Sequence, residues 1–167
     1  LGGSNGLVSD NEIDDQTLSG DFSWFKSSES TIKFGLQYKS LGFNYINTFN
    51  EDTTFQINTI PFELGAYLKT KYEYGSRLII EPGLRLNFYS VFSDSLYPDL
   101  RLGLKYLLTE NRYINISMGN YHQFISTFQD DFNPSILDNW IAVDESVAPG
   151  KSSQIVLGYE EYFRNTY

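Results

Sequence analysis

The stretch Ile32-Lys33-Phe34-Gly35-Leu36-Gln37-Tyr38-Lys39 places an apolar side chain at every second position, with glycine or a polar residue between. A period of two residues is typical of a β-strand that has one apolar and one polar face. The pattern recurs along the chain and predicts one all-β domain over 1–167. Its predicted strands lie at about 17–25, 31–45, 60–74, 77–89, 98–108, 113–123 and 152–163, and residues 1–16 are predicted to be a loop.

Two local irregularities are predicted within these strands. The apolar phase slips near Ser40-Leu41-Gly42, where Leu41 and Phe43 take over from the preceding apolar positions, and this predicts a β-bulge. Pro82 falls on the apolar face of the fourth predicted strand. Because proline lacks an N–H group, the hydrogen-bond ladder is expected to be interrupted there.

The connections between the strands are short at one end and long at the other. The long ones, 1–16, 46–59, 90–99 and 124–150, hold 13 of the 21 acidic residues and no Lys or Arg. We interpret them as an exposed rim that the acids keep soluble; the alternative is a rim that concentrates cations. Five acids could supply oxygen ligands for calcium, but they have no regular spacing, so no defined metal site is predicted. They are Asp130, Asp131, Asp138, Asp144 and Glu145.

Composition narrows the class of protein. Aromatic residues make up 17% of the 167 residues, yet mean hydropathy is negative and no apolar run is long enough for a membrane helix. The absence of Cys excludes disulfides and thiolate metal sites, and a net charge of −9 argues against nucleic-acid binding. The chain begins without Met or an apolar signal segment, so we expect it to be processed or excised from a longer chain.

Three features favour a transmembrane β-barrel over a soluble sandwich or jelly roll. The strands are longer than the roughly five to six residues usual in globular sheets, and the polar faces combine glycine with charges of both signs. Aromatic residues also crowd both strand ends, as at a lipid–water boundary. Near the short turns they are Trp24, Phe25, Tyr72, Tyr74, Tyr106, Tyr113, Tyr162 and Phe163; near the long loops they are Phe43, Tyr45, Phe62, Phe88, Tyr89, Tyr97, Tyr121 and Phe124.

The polar faces and loops supply the candidate functional residues. We expect the lumen-facing charges to form ion pairs or to contact a plug rather than to bind substrate directly; they are Glu63, Glu81, Arg85, Arg101, Lys105 and Glu160. The candidate ligand contacts are Trp140, Asp130, Asp131, Asp138 and His122. His122 is the only histidine, and Ser126 or Asp130 could assist it in a membrane-embedded hydrolase. No nucleophile-elbow motif supports that, so no enzyme activity is expected.

The second half of the chain resembles the barrel of TonB-dependent receptors, the active transporters of the Gram-negative outer membrane. The resemblance covers about 70 residues and rests on the order of four elements: a strand that opens at Tyr97-Pro98-Asp99, a strand end at Tyr121-His122-Gln123, a loop with Asp138-Asn139-Trp140, and a strand that opens at Pro149-Gly150-Lys151-Ser152. The first half of the chain is similar to the family only in its alternation.

The resemblance implies a barrel of about 22 strands that contains a plug domain and takes up a scarce solute with the help of the TonB complex. The partners would be outer-membrane lipid, the plug, the TonB complex and a small solute such as an iron chelate, cobalamin, a glycan or a peptide, and no cofactor is implied. Seven strands cannot close such a barrel, so we expect an incomplete part of it. The alternative is a complete eight-stranded outer-membrane barrel with a structural or adhesion role.

Overall fold

The computed structural model describes residues 6–50, 52–92, 96–128, 139–144 and 147–163. Within these ranges the chain forms ten strands and no helix: β1 Leu7–Phe25, β2 Ser30–Phe49, β3 Asp52–Thr59, β4 Phe62–Tyr74, β5 Leu78–Tyr89, β6 Leu96–Thr109, β7 Arg112–Gln123, β8 Ile125–Phe128, β9 Asn139–Ala142 and β10 Gly150–Glu161. The described residues include no helix that could cross a membrane.

One curled antiparallel sheet makes up most of the molecule. Its order is β1-β2-β4-β5-β6-β7-β10, so successive long strands run up and down and lie side by side. The sheet curls into a half-barrel. Within the described residues, β1 pairs only with β2 and β10 only with β7. The predicted all-β, antiparallel, up-and-down architecture is confirmed.

β3 and β4 behave as one long strand along the same edge of β2. Phe43 pairs with Thr59 and Ser40 with Phe62, so the register is the same on both sides of the break at residues 60–61. Pro61 has no N–H to donate, but its carbonyl accepts a 2.9 Å hydrogen bond from the Leu41 N–H. The sequence placed 46–59 in a loop, whereas the structure forms a β2–β3 hairpin there.

The first strand is likewise longer than predicted. Residues 7–16, assigned to a loop from the sequence, pair with β2 without a break in register. This part of β1 is acidic and polar, so it lacks the apolar alternation by which a strand is recognised from sequence. Backbone pairing with a neighbouring strand holds it in place instead.

The predicted bulge near Ser40-Leu41-Gly42 is wrong. β1 and β2 keep one register from Phe25↔Thr31 to Leu7↔Phe49, and the irregularity in β2 falls later, at Asn47/Thr48 against β3. From Leu41 onward the apolar side chains lie on the opposite face of β2, although the strand continues without a break. The irregularity predicted at Pro82 is confirmed. The pairing of β4 with β5 is interrupted after Lys69↔Gly83 and resumes at Tyr72↔Ile80.

The sheet has an apolar outer face and a polar inner face. The outer face carries the predicted apolar positions, for example Leu36, Leu68 and Leu100, which are 52–69% exposed. The inner face carries the charged and polar residues together with several glycines. Strand alternation therefore separates an apolar surface from a polar one across the thickness of one sheet.

Several aromatics predicted to lie at the lipid boundary near the long loops face inward instead. Tyr89, Phe124 and Phe43 are at most 4% exposed. Tyr89 and Phe124 stack with ring centroids 4.7 Å apart, next to Val143 and Tyr97. We call Tyr89, Phe124, Val143 and Tyr97 the mouth cluster, because they lie at the long-loop end of the half-barrel. Tyr38, Phe62 and Phe88 instead form an aromatic row on the outer face, with centroids 5.9 and 6.1 Å apart.

A small hairpin crosses the long-loop end of the half-barrel. β8 follows β7 almost directly and pairs with β9, while β9 contacts β1 and β2 at the far side of the sheet. Val143, which follows β9, donates its N–H to the Phe124 carbonyl at 3.1 Å and is buried. The β8–β9 hairpin and the mouth cluster thus partly cover the inner face at this end.

The β4–β5 turn allows a direct test of the backbone geometry. Gly75 (φ 56°) and Ser76 (φ 53°) are both left-handed, as a type I′ hairpin turn requires. No atom lies within 4 Å of a Cβ built on Gly75. Gly75→Ala should therefore lower the free energy of unfolding through backbone strain alone, by about 1 kcal/mol. Urea unfolding followed by tryptophan fluorescence measures the change.

The control is Ser76→Ala, which keeps a side chain already held in the left-handed region. It should change the free energy of unfolding by less than about 0.5 kcal/mol. Equal losses in the two variants would contradict the assigned turn.

Candidate functional site

The inner face brings together all six charged residues that the sequence placed toward a lumen. Glu63 lies 3.4 Å from Arg85, and Lys105 lies 3.0 Å from Glu160. Glu81 pairs instead with Lys69 at 3.0 Å. The sixth residue, Arg101, lies over the ring of Tyr121, 4.7 Å from its centroid, and forms no ion pair with a carboxylate in the described part of the chain.

Arg85 is the centre of a polar network that spans several strands. Its Nε donates to Asn87 Oδ1 and its Nη2 to Gln37 Oε1, both at 2.6 Å. Gln37 is on β2, two strands away, and the guanidinium reaches it by lying over Gly65 on β4. A Cβ at Gly65 would overlap the guanidinium of Arg85. The glycine is therefore required for this hydrogen bond to cross β4.

The network continues into a buried Asn–Asp–His chain. Asn87 and Asp99 are each 2% exposed. Asn87 Nδ2 donates to Asp99 Oδ2 at 3.0 Å, and His122 Nδ1 lies 2.7 Å from Asp99 Oδ1. Burial of a carboxylate is tolerated because its oxygens find hydrogen-bond partners. Asp99 thus connects β5 to β7.

Near His122, the side chain of Asn120 interrupts the backbone pairing of β6 with β7. The β6–β7 ladder ends at Arg101↔Gly119. Beyond it, Asn120 Oδ1 accepts the Leu100 N–H at 2.9 Å and Asn120 Nδ2 donates to the Pro98 carbonyl at 2.8 Å. The side-chain amide of Asn120 thus takes the place of one pair of backbone hydrogen bonds between the strands. His122, two residues further along β7, contacts Asp99.

The structure does not bring His122 to Ser126, one of the two catalytic partners considered from the sequence. Asp99 is the hydrogen-bond partner of His122, whereas no hydrogen bond joins His122 to Ser126 among the described residues. Asp130 lies outside the described residues. The imidazole ring instead packs 5.3 Å from the ring of Tyr97. A carboxylate-oriented histidine next to aromatic rings can orient or hydrogen-bond a ligand, and its partners hold it in a fixed position.

The loop candidates are only partly described. Trp140 lies on β9, 42% exposed, on the hairpin that crosses the mouth. Asp131, Asp138 and Glu145 lie outside the described residues, and Asp144 follows the mouth cluster in sequence. Within the described ranges, no group of three or more His, Asp or Glu side chains is placed to hold a metal ion.

One acid of the rim has a perturbed titration. Asp15 lies in the part of β1 beyond the apolar outer residues, and its carboxylate is 2.8 Å from Lys39 Nζ. The hydrogen bonds from Lys39 and then from Thr17 lower the pKa of Asp15. Asp15 therefore keeps its negative charge to a lower pH than a free aspartate does.

The sequence did not single out Gln37, Asn87, Asp99 or Asn120. The alternation of the sequence does indicate a role for Asp99: it lies two residues before Arg101 on β6, so its side chain points to the same face. It was assigned instead to the acidic rim because it precedes the apolar run of its strand. Asn87 likewise shares the face of Arg85, but its contact with Asp99, and the role of Asn120, depend on which strands are neighbours.

The crossing over Gly65 can be tested with a matched pair of glycines. Gly65→Ala should displace Arg85 from Gln37 and lower the free energy of unfolding by about 1–3 kcal/mol, because the network partners lose their hydrogen bonds. Gly83→Ala is the control: it is also on the inner face, but its nearest atoms would be 3.7–3.8 Å from the new Cβ. Urea unfolding should separate the two variants, and equal stabilities would contradict the crossing.

The buried carboxylate gives a second test. Asp99→Ala removes the partner of both Asn87 and His122, and should cost about 1–3 kcal/mol of the free energy of unfolding. Asp15→Ala removes an exposed ion pair and should cost less than about 1 kcal/mol. Thermal unfolding followed by circular dichroism measures both; a larger loss for Asp15→Ala would show that the Asp99 chain is not structurally important.

Comparison with known proteins adds no constraint on this site. No family model, curated protein or solved structure matches the chain. The similarity to TonB-dependent receptors noted in the sequence stays a prediction, and the site is interpreted from its own geometry.

Proposed function

We propose that this chain forms part of the wall of a Gram-negative outer-membrane β-barrel that takes up a scarce solute, as a TonB-dependent receptor does. The outer face would contact lipid, and the inner face would line a lumen filled by water and a plug. The long-loop end would face the outside and meet the solute. A plug and the TonB complex would be the protein partners of such a transporter.

The observation that carries this proposal is the exposure of the apolar residues. Among the described residues, 32 large hydrophobic side chains are exposed and only five hydrophobic side chains are buried. A soluble monomer rarely exposes a contiguous apolar patch larger than about 300–600 Å². In a bilayer the same face would be covered by lipid tails, so the arrangement favours a membrane over water as the surrounding medium.

The dimensions of the strands support the same conclusion. β4 has 13 residues, which at about 3.3 Å per residue gives a length of about 40 Å. A tilt of about 45° reduces its height to about 28 Å, close to the roughly 25 Å apolar band of outer-membrane barrels. The outer aromatic row of Tyr38, Phe62 and Phe88 lies at one border of this band.

The inner face supports a hydrated lumen. Its ion pairs are mostly part-exposed, for example Lys69–Glu81 with side chains 48% and 32% exposed. Charges of both signs on a face next to an apolar band would be costly in lipid, at several kcal/mol each for unpaired groups. Beside water and a polar plug they are tolerated.

The sheet edges favour a large barrel over a complete eight-stranded one. β1 and β10 each have an edge that is unpaired within the described residues. Open strand edges are not stable in lipid, because each unpaired backbone group costs several kcal/mol. The half-barrel curvature over seven strands supports a wall in which further strands cover both edges.

The membrane assignment is tested by adjacent residues on β4 that point to opposite faces. Leu68→Arg puts a charge on the outer face, where it should destabilise insertion by about 2–4 kcal/mol if lipid covers that face. Lys69→Arg is the control, because it puts the same side chain on the inner face. Outer-membrane fractionation and heat-modifiable migration of the full-length protein measure folded, inserted material.

We expect Leu68→Arg to reduce the inserted fraction severalfold and Lys69→Arg to leave it unchanged. A full-length protein that fractionates with soluble proteins, or a Leu68→Arg variant that inserts as well as its control, would overturn the proposal.

A further inference from the structure

A row of basic residues crosses the middle of the inner face. Following the cross-strand pairs, Lys33 on β2 lies opposite Lys69 on β4, Lys69 lies opposite Gly83 on β5, and Gly83 lies opposite Arg101 on β6. Arg101 in turn lies opposite Gly119 on β7. Three cations and two glycines therefore share one transverse row, which contains no acid on these five strands.

The charge of this row is not balanced by its surroundings. Glu81, in the neighbouring row, neutralises Lys69 at 3.0 Å. Arg101 and Lys33 form no ion pair with a carboxylate in the described ranges. Lys33 and Lys69 are like charges on directly opposite residues, an arrangement that destabilises a sheet. The row thus has two positive charges, those of Arg101 and Lys33, that no carboxylate of the described residues pairs with.

A cavity lies over Gly83, one of the two glycines of the row. It has a volume of about 390 Å³, and the lining side chains include Lys69, Arg101, Ser117 and Tyr121, together with Glu81, whose carboxylate is paired with Lys69. A Cβ built on Gly83 would have Lys69 Cβ and Arg101 Cβ at 3.8 Å on either side. Strands are about 4.8 Å apart, so Lys69 and Arg101 are separated by about 10 Å at the backbone. Their long side chains rise on two sides of a glycine floor.

Arg101 is held in a way that leaves its hydrogen-bonding edge available. The ring of Tyr121 packs against the guanidinium at 4.7 Å from the ring centroid. No hydrogen bond from the Arg101 side chain is formed within the described residues, so its N–H donors remain available to the two oxygens of a carboxylate or phosphate. Arg85, which also lines the cavity, is already occupied by Gln37, Asn87 and Glu63.

We propose that this cavity is a binding site for the anionic group of a small solute, a carboxylate or a phosphate, with Arg101 as the bidentate donor and Lys69, on the opposite side of the cavity, as a further N–H donor. Lys33 lies in the same row but outside the cavity lining, and it adds a more distant positive charge. The site deepens the proposed function and rests on it, because it assigns an anionic solute to the lumen of the barrel wall. Arg101 and Gly83 both line this cavity, in the part of the row that lies on β5 and β6.

The test uses the full-length protein folded in detergent, with its folded state verified by heat-modifiable migration. Isothermal titration at low ionic strength measures binding of two probes, inorganic phosphate and succinate. We expect at least one to bind, and Arg101→Gln to weaken that binding about tenfold through loss of the charge-assisted pair. Lys33→Gln, at the exposed end of the row, should weaken it about threefold.

Lys71→Gln is the matched control, because it removes an inner-face charge that Glu73 already neutralises at 2.6 Å. It should change binding less than about twofold. The proposal is overturned if neither probe binds the wild-type protein, or if Lys71→Gln weakens binding as much as Arg101→Gln and Lys33→Gln do. Because folding in detergent is verified separately, these outcomes leave the proposed membrane location intact. The tighter of the two probes identifies the class of anion.

Discussion

The crowding of side chains on the inside of a curled sheet is the constraint from which most features of this protein follow. Side chains on the concave face converge, so a long polar group can lie flat only where its neighbour has no side chain. Gly35 lies under Tyr67, whose hydroxyl donates to Asp21 at 2.6 Å, and Gly65 lies under Arg85. Gly35 and Gly65 are therefore sites over which long side chains cross to other strands.

The two faces contribute to stability in different ways. Exposed ion pairs on the inner face are worth about 0–1 kcal/mol each, whereas leaving buried Asn87 or Asp99 without a partner costs about 1–3 kcal/mol. The hydrogen bonds of the inner face thus mainly avoid the cost of unpaired buried polar groups, and they fix the positions of the side chains that form them. The outer face buries apolar area only when something apolar covers it, at about 25 cal/mol per Å². Most of the hydrophobic free energy of this sheet therefore depends on its surroundings.

How much the sequence could predict depended on which interaction fixes each residue. Alternation identified the strands that carry an apolar outer face, since one periodicity decides both conformation and side. It failed for residues 7–16 and 52–59, which extend beyond the apolar residues and are held by backbone pairing alone. It also misplaced Tyr89 and Phe124, because aromatic residues near strand ends fit a lipid border and an inner cluster equally well. The Asn87–Asp99–His122 chain needed knowledge of strand order, which no local pattern contains.

The up-and-down topology has a consequence for how the half-barrel can be completed. β1 and β10 are the first and seventh strands of the sheet, so both run from the long-loop end toward the short-turn end. If they met directly, or if two copies joined head to tail around a common axis, each seam would be a parallel pair. A wall that is antiparallel throughout requires an odd number of strands between them. Parity alone therefore restricts what can complete this sheet, whatever the length of the chain that supplies it.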